Sequence, residues 1–231
     1  MFKLDFPELV QDCRPDIVAA TAACEEVKRS KKFAIVLEII LLIGNIMNTG
    51  SRNEQSVGFD ISYLPKLSNT KDRDNKTTLL HFLVETIEFS YPDLINFYEE
   101  IMHLDKAARV SCESVEKVLK QMEVSLRNLD TDLLISSKTV LDSDDNFSEA
   151  MGTFATEARS QYSILLGMET KMDSLYTDLA EYYVFDKQKY TLEELFGDIK
   201  MFKDKFKQVW HLFIFIQKFK FHHLINFVLL I

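Results

Sequence analysis

The chain has 231 residues, 47% hydrophobic and 27% charged, which is long enough for one large domain or two small ones with a real core. Its formal net charge of −9 makes it a poor general binder of nucleic acid, because affinity for phosphate needs clustered Lys and Arg. Only six Gly and four Pro interrupt the sequence, which favours an all-α protein.

The first third of the chain predicts two helices and then a long loop. Residues 15–30 begin with Pro at a first-turn position, and their acids lie early and their Lys-Arg pair late, as the helix dipole prefers. Residues 32–47 are apolar almost all round, which is typical of a buried helix, and this run is too short to span a membrane. Residues 49–76 carry the Gly, Pro, Asn and Asp density of turns. Embedded apolar side chains should pin this loop to the body: Phe59, Ile61, Tyr63, Leu64 and Leu67.

The next elements are also predicted to be helices. Residues 77–90 favour a helix capped by Thr, which the Tyr-Pro-Asp that follows should break and restart as a helix to about His103. Apolar side chains spaced by three and four predict an amphipathic helix over residues 106–134.

Two long helices should complete the chain. Asn146 and Glu149 resemble a capping box before an apolar stripe that reaches Tyr183, and this helix would be roughly 55 Å long, so it must pack along antiparallel partners. Thr191 and Glu194 form a second capping box before the last helix. The predicted fold is therefore an elongated, all-α helical bundle with one or more long antiparallel helices.

The end of the chain changes in composition and charge. Residues 1–204 hold 23 basic and 36 acidic side chains, a net −13, whereas residues 205–231 hold four basic and no acidic ones, a net +4. Fifteen of the 22 residues in 210–231 are apolar, and five of these are Phe. We interpret 209–231 as a Phe-rich tail with three possible origins: an artefact such as a misassigned reading frame or an unspliced intron, a packing segment, or a membrane-surface contact, which is the least favoured.

The sequence offers no enzyme chemistry. There is no phosphate-binding Gly-rich loop and no G-x-S-x-G or H-E-x-x-H pattern. Cys13, Cys24 and Cys112 lack metal-like spacing, and an odd, sparse count fits a reducing compartment. The N-terminus has acids where a secretion signal would be apolar. We predict a non-enzymatic, cytoplasmic protein without catalytic residues, cofactor or metal.

Two polar segments remain as candidate sites. The stretch GNIMNTGSRN, residues 44–53, ends the apolar second helix with Gly44, Asn45 and Asn48. It is either an ordinary helix stop or a docking surface for an extended segment of another chain, because Asn45 and Asn48 share a face and offer amide groups. The loop behind it concentrates cations, which are either solvated or functional: Lys66, Lys71, Arg73 and Lys76.

At this point the sequence resembles a known family. GNIMN matches the G-N-x-M-N signature of the formin homology 2 domain, and GFDISYLPKLSNTKDRDNKTTLLHFLVE resembles the diaphanous-related formins. The blocks YPDLINFYEEI, MGTFATEARSQY and LEELFGDIKMFKDKF resemble them too, so the resemblance spans residues 2–208 in order.

The resemblance implies an actin-assembly domain of the cytoskeleton. In this family an all-helical domain forms a head-to-tail dimeric ring that nucleates actin filaments and stays at the barbed end during elongation. An N-terminal lasso of each subunit wraps the post of the other, and the signature belongs to that post. Gly44, Asn45, Met47 and Asn48 would then be the socket for a partner subunit's arm.

The resemblance also implies which cations bind actin. The family uses a basic residue on the post, which the alignment places at Lys71, with Lys76 as the alternative and Arg73 beside them. Residues 1–208 would be the coiled-coil bridge and post, without the lasso, the linker and most of the knob, so we expect ring closure by this chain alone to fail. A Rho-type GTPase would act only through regions outside this chain.

Two alternatives remain open beside the actin-assembly domain. The first is a helical interaction module that docks the lasso of intact formin subunits without assembling actin itself. The second is a membrane-surface protein that uses the Phe-rich tail.

Overall fold

The computed structural model describes residues 2–138 and 147–228, with side chains over 2–137 and 148–220. Seven α-helices lie in these ranges: α1 Phe2–Arg29, α2 Lys31–Met47, α3 Leu79–Ser90, α4 Leu104–Ala107, α5 Cys112–Lys138, α6 Phe147–Tyr183 and α7 Leu192–Val228. Three 3-10 helices accompany them: Ile61–Ser68, Pro92–Leu94 and Phe97–Glu100. Every regular element of the described ranges is thus helical, which confirms the predicted fold class.

Helix α1 begins earlier than the sequence predicted. It starts at Phe2 and contains both Pro7 and Pro15, so the expectation of a helix start at Pro15 was wrong. Each Pro lacks an N–H and deprives a carbonyl one turn earlier of its helical partner. Burial along the helix outweighs this loss, because α1 places eight side chains in the core, among them Phe6 and Ile17.

The long helix α6 packs antiparallel to α5. Arg159 of α6 pairs with Asp130 of α5, and farther along α5 the hydroxyl of Ser136 meets that of Ser148, near the start of α6, at 2.7 Å. The residue numbers therefore run in opposite directions across this contact, as predicted. Asn146, the predicted cap of α6, lies outside the described residues.

Helix α6 packs parallel to its other long partner, α1. Arg14 donates a hydrogen bond to Gln161 at 2.8 Å, and Lys28 contacts Asp178 at 3.0 Å, so both numbers rise together. The prediction of antiparallel partners is therefore incomplete. Since α6 is antiparallel to α5 and parallel to α1, α5 runs antiparallel to α1 and itself returns the chain along the bundle. A hydrophobic stripe does not show the direction of each partner helix.

The segment after α3 was wrongly predicted as one helix to about His103. It forms two 3-10 helices instead, and the predicted helix over residues 106–134 is divided into α4 and α5 by a break between Ala107 and Cys112. Glu26 of α1 holds the end of this segment: its carboxylate accepts the backbone N–H of His103 at 2.9 Å and meets the imidazole Nδ1 at 2.6 Å. An N–H held by a side chain of α1 is unavailable to an uninterrupted helix.

Helix α7 crosses the core of the domain. Its start confirms the capping box: the Thr191 N–H donates to the Glu194 carboxylate at 2.8 Å, and the Glu194 N–H donates to the Thr191 hydroxyl at 3.2 Å. Farther on, Phe202 and Phe206 bring their ring centroids to 5.8 Å and 5.1 Å from that of Phe97. These buried rings join α7 to the segment between α3 and α4.

The Phe-rich tail continues α7 without a break to Val228. Trp210 donates its indole N–H to Glu88 of α3 at 2.8 Å, and the ring of Phe213 meets that of Phe89 at 5.8 Å. The beginning of the tail therefore packs on the body. Over the described residues, no helix has a segment long and apolar enough to cross a bilayer.

Helix α2 is buried on one face only, so the prediction of burial all round was wrong. Phe33, Val36 and Ile40 lie in the core, whereas Leu42, Ile46 and Met47 are exposed by 57%, 64% and 60%. The core face lies against the 3-10 segments, and no element of the described structure covers the outer side near residue 47. This apolar end of α2 borders the candidate site.

The loop after α2 is pinned to the body as predicted. Ile61, Leu64 and Leu67 are buried, on the inner face of the 3-10 helix Ile61–Ser68, and Phe59 is half-buried. Tyr63 stays 38% exposed. The anchored 3-10 helix packs against α7 and α3, and it holds the flanking polar segments beside the end of α2.

Candidate functional site: two grooves at the end of helix α2

Asn45 holds the loop that follows α2. Its side-chain Nδ2 donates to the carbonyl of Ser56 at 2.9 Å, and its Oδ1 accepts the Ser56 N–H at 2.9 Å. The amide thus pairs with both backbone groups of one residue, as a neighbouring strand would. The main hydrogen-bonding capacity of Asn45 is therefore spent within the chain, which the sequence did not indicate.

Asn48 lies one turn later in a different environment. Its backbone N–H donates to the carbonyl of Gly44 at 3.0 Å and ends the helix, while its side chain is exposed. Gly50 then turns the chain with φ of +81°, a conformation that favours glycine. The helix-stop interpretation thus describes the backbone here, and the Asn48 amide still faces solvent.

Gly44 leaves open space rather than a tight contact. A Cβ placed on Gly44 would meet no described atom within 4 Å. Because glycine has no side chain, Gly44 leaves space in the adjoining groove that a larger residue would fill. No described segment of this chain packs closely against it.

The four predicted socket residues line one groove of about 280 Å³. They are Gly44, Asn45, Met47 and Asn48. The rest of the lining comes from α2, the loop, the 3-10 helix and the start of α3: Ile40, Leu41, Ser56, Gly58, Phe59, Tyr63, Leu67, Thr70 and Leu79. The groove is mainly apolar with a polar end, which suits an extended peptide that brings both side chains and backbone groups.

A second groove of about 330 Å³ lies directly beside the first. The two share Met47, Thr70 and Leu79, so the exposed Met47 side chain stands between them. Lys71 and Phe82 line the second groove. The structure therefore brings the predicted socket and one of the predicted actin-binding cations to the same end of α2.

The cation loop forms a short hairpin. Leu79 N–H donates to Thr70 O at 2.7 Å and Asp72 N–H to Thr77 O at 3.0 Å, around an isolated antiparallel bridge between Lys71 and Thr78. Lys71 thus sits on backbone that is fixed on both sides.

Asp72 organises the tip of this hairpin. Its carboxylate accepts the Thr77 hydroxyl and the Lys76 N–H, both at 2.9 Å. These hydrogen bonds, that from Thr77 first, hold the pKa of the Asp72 carboxyl below its ordinary value. Sequence reasoning missed Asp72, although an Asp that begins a polar turn is a common source of such bonds.

The three predicted cations differ in their surroundings. Lys76 Nζ lies 3.8 Å from the Asp74 carboxylate, so part of its charge is already matched. Lys71 and Arg73 are exposed, and no carboxylate of the described residues comes within ion-pair distance of either. Lys66 stands over the ring of Tyr63 at 5.7 Å from its centroid. The uncompensated positive charge of the hairpin is therefore at Lys71 and Arg73.

The other titratable groups of the described residues form neither a metal cluster nor an activated thiol. Over the residues that the structure describes, no group of three or more His, Cys, Asp or Glu side chains could hold a metal ion. Burial raises the pKa of the Cys24 thiol to about 12 and that of Cys112 to about 11, so neither is an activated thiolate. The arrangement is suited to binding a protein surface.

Comparison with known proteins gives consistent matches. A model of the Formin Homology 2 Domain matches residues 1–207. Protein diaphanous of Drosophila melanogaster is 54% identical over 206 residues, which are 89% of this chain and 19% of that protein. Protein diaphanous homolog 3 of Homo sapiens is 44% identical over 208 residues, 90% of this chain and 17% of that protein. Disheveled-associated activator of morphogenesis 2 of Gallus gallus is 31% identical over 208 residues, 90% of this chain and 19% of that protein. The chain thus spans less than a fifth of the length of these relatives.

Proposed function

The chain belongs to the formin homology 2 domain family, and on that premise we propose that it binds actin through the hairpin that carries Lys71. The family match over residues 1–207 confirms the resemblance to diaphanous-related formins. The proposed role is the one that the resemblance implies, which is to nucleate filaments and hold the barbed end during elongation. The proposed place of action is the cytoplasmic actin cytoskeleton.

The observation that carries this proposal is the free charge of Lys71 on a fixed backbone. Actin is acidic, and an exposed lysine can contact an acidic surface favourably. Since Lys71 has no carboxylate partner among the described residues, no existing ion pair must be broken when it binds. The bridge to Thr78 and the bonds made by Asp72 hold the hairpin before binding, so little ordering entropy opposes the contact.

The same geometry ranks the three cations. Lys76 must share its charge with Asp74, whereas Lys71 and Arg73 have no such competitor among the described residues. Lys71 also lines the second groove, so a partner that binds there touches it directly. We therefore assign the main contact to Lys71 and supporting contacts to Arg73 and Lys76.

Single-filament imaging of actin elongation with the full chain tests this assignment. At low salt, rising protein concentration should slow or cap barbed ends, and Lys71→Ala should relieve the effect, since exposed charges act mainly at low ionic strength. Lys117→Ala is the matched control, because Lys117 is an exposed lysine on α5, away from the hairpin. Unchanged filaments with folded protein, or equal relief by both variants, would contradict the proposal.

A second candidate function rests on the first groove. It is the docking of the lasso of an intact formin subunit, and all four signature residues line the groove that would receive it. Met47 would provide apolar contact and Asn48 would offer amide groups to the arm backbone. Gly44 leaves room, and Asn45 acts through the loop that it fixes.

Fluorescence anisotropy with a labelled lasso peptide from a diaphanous formin tests this second function. Binding should weaken in Met47→Ala and Asn48→Ala, whose side chains are exposed and line the groove. Leu134→Ala on α5 is an equally exposed apolar control. A folded chain that does not bind the peptide, or binds it unchanged in the first two variants, would refute docking in this groove.

A further inference from the structure

The last part of α7 leaves the body of the domain. From Phe215 to Lys220 every side chain is exposed, whereas Trp210 and Phe213 still pack on α3. The helix runs on to Val228, which is roughly 28 Å beyond Val209 at 1.5 Å per residue. The family match ends at residue 207, so this projecting helix lies outside it.

An apolar stripe follows one side of the projecting helix. It consists of Leu212, Phe215, Ile216 and Phe219, which are 51%, 66%, 42% and 64% exposed. Their spacing of three and four residues places them on a single face. At 100° per residue, that face lies roughly 140° around the helix from the side that packs on α3. The stripe therefore points away from the protein's own core.

Two lysines flank this stripe. Lys218 and Lys220 are exposed and lie on opposite sides of it, about 100° from its centre by the same helical geometry. Residues 205–231 contain four Lys and Arg residues and no Asp or Glu, so no acidic side chain of this part of the sequence offsets their charge. An apolar stripe between two long cationic side chains is the pattern of a helix that lies in a lipid interface, with the lysines reaching toward the headgroups.

We infer that this stripe, Leu212 to Phe219, is a contact surface for an anionic lipid bilayer. The apolar side chains would enter the boundary between headgroups and acyl chains, and Lys218 and Lys220 would meet the lipid charges. The sequence alone put membrane contact last among the readings of the tail, because it did not show that the helix leaves the body with the stripe turned outward.

The charge of the rest of the chain does not prevent this contact. Residues 1–204 carry a net −13, which an anionic bilayer repels. Charges in solution are screened beyond about 8 Å at physiological salt, and the projecting helix extends well past that distance. The contact should therefore be reversible and sensitive to salt.

A second copy of the chain is a poorer occupant of this stripe. Four half-exposed side chains offer only a few hundred Å², and a stable protein interface needs about 800 Å² from each partner. A bilayer has no such threshold, since each inserted side chain contributes separately to partitioning.

Co-sedimentation of the full chain with phosphatidylcholine vesicles, with and without phosphatidylserine, tests the inference. The protein should bind only the vesicles that contain phosphatidylserine and should dissociate as salt is raised. Lys218→Ala with Lys220→Ala should weaken binding about fivefold for each lysine. Phe215→Ser with Phe219→Ser should weaken it at least about tenfold, because most of the inserted apolar area is lost.

Matched controls separate the stripe from general effects of substitution. Lys117→Ala with Lys120→Ala removes two exposed lysines of α5, and Leu134→Ser removes an exposed apolar side chain of the same helix. These variants should bind vesicles as the original chain does, and circular dichroism should show all variants folded.

Three results would overturn the inference. The first is a folded chain that fails to bind phosphatidylserine vesicles even at low salt. The second is an equal loss of binding in the control variants. The third is concentration-dependent self-association without vesicles that Phe215→Ser with Phe219→Ser abolishes, which would assign the stripe to a second copy.

Discussion

Replacing Asn45 by Ala should loosen the loop after α2. Any effect on peptide binding in the first groove should follow indirectly from that loosening. The substitution removes two hydrogen bonds, both 2.9 Å long, and leaves the carbonyl and N–H of Ser56 without their partner. A neutral hydrogen bond contributes about 1 kcal/mol net, so we expect a loss of about 2 kcal/mol. If the loop unfolds together with the domain, Tm should fall by about 4–8 °C, since 1 kcal/mol corresponds to about 2–4 °C at this chain length.

Amide hydrogen exchange measures this effect where it arises. The Ser56 N–H is held by the Asn45 side chain, so its exchange should become faster in Asn45→Ala by about thirtyfold for 2 kcal/mol. Asn48→Ala is the matched control, because it removes the same side chain one turn later from an exposed position. Its stability should stay within about 0.5 kcal/mol of the original chain.

Similar behaviour of the two Asn variants would contradict this prediction. Unchanged exchange at Ser56 in Asn45→Ala would mean that the loop is held by other contacts and that the amide pair contributes nothing measurable. A loss of stability in Asn48→Ala as large as in Asn45→Ala would mean that Asn48 carries a structural bond of its own. Either result would remove the distinction between a structural and a surface asparagine.

Three further predictions concern stability. Thr191→Ala should cost about 1 kcal/mol and lower Tm by about 2–4 °C in thermal melts, because the Glu194 N–H loses its capping acceptor. Glu88→Ala should shift the emission of Trp210, the sole tryptophan, to longer wavelength and cost about 1 kcal/mol in urea unfolding; unchanged emission would argue against packing of the tail on α3. Burial raises the pKa of Cys24 from 9.0 to about 12, so its neutral thiol stabilises the fold fully below pH 9. Above pH 9 the unfolded thiol ionises and the buried one does not, so the free energy of unfolding should fall by up to about 1.4 kcal/mol per pH unit. Urea titrations with reductant measure this fall, which should be smaller in Cys24→Ala.

Local signals in the sequence predicted the features that depend on neighbouring residues. The capping box at Thr191 and Glu194 joins groups three positions apart, and both of its hydrogen bonds are present. The pinning of the loop was predictable too, because Ile61, Leu64 and Leu67 are apolar residues in a polar segment and are buried. The 3-10 helix that they form was not predicted. In the first case the residues that make the contact are close in the chain. In the second, the apolar residues of the segment mark it as buried, although its partners in α7 and α3 are distant in the chain.

Features that depend on distant segments were not predictable in this way. The break near His103 is held by Glu26, 77 residues earlier in the chain, and no local pattern there indicates it. The apolar outer face of α2 looked like core because the sequence does not say which elements cover it. Its exposure at Leu42, Ile46 and Met47 became evident only with the 3-10 helix and α3 in place.

The candidate site also depends on segments that are distant in the sequence and adjacent in the structure. The signature at residues 44–48 and the cations at 71–76 are separate in sequence, and the resemblance assigned both to the post without showing how close they lie. In the structure, Met47, Thr70 and Leu79 line both grooves, so a segment bound in the first groove touches residues that also border Lys71. Because the Met side chain is flexible, it can repack toward either groove. Occupancy of the first groove should therefore change the surface that surrounds Lys71, which would couple the proposed subunit docking to the proposed actin contact.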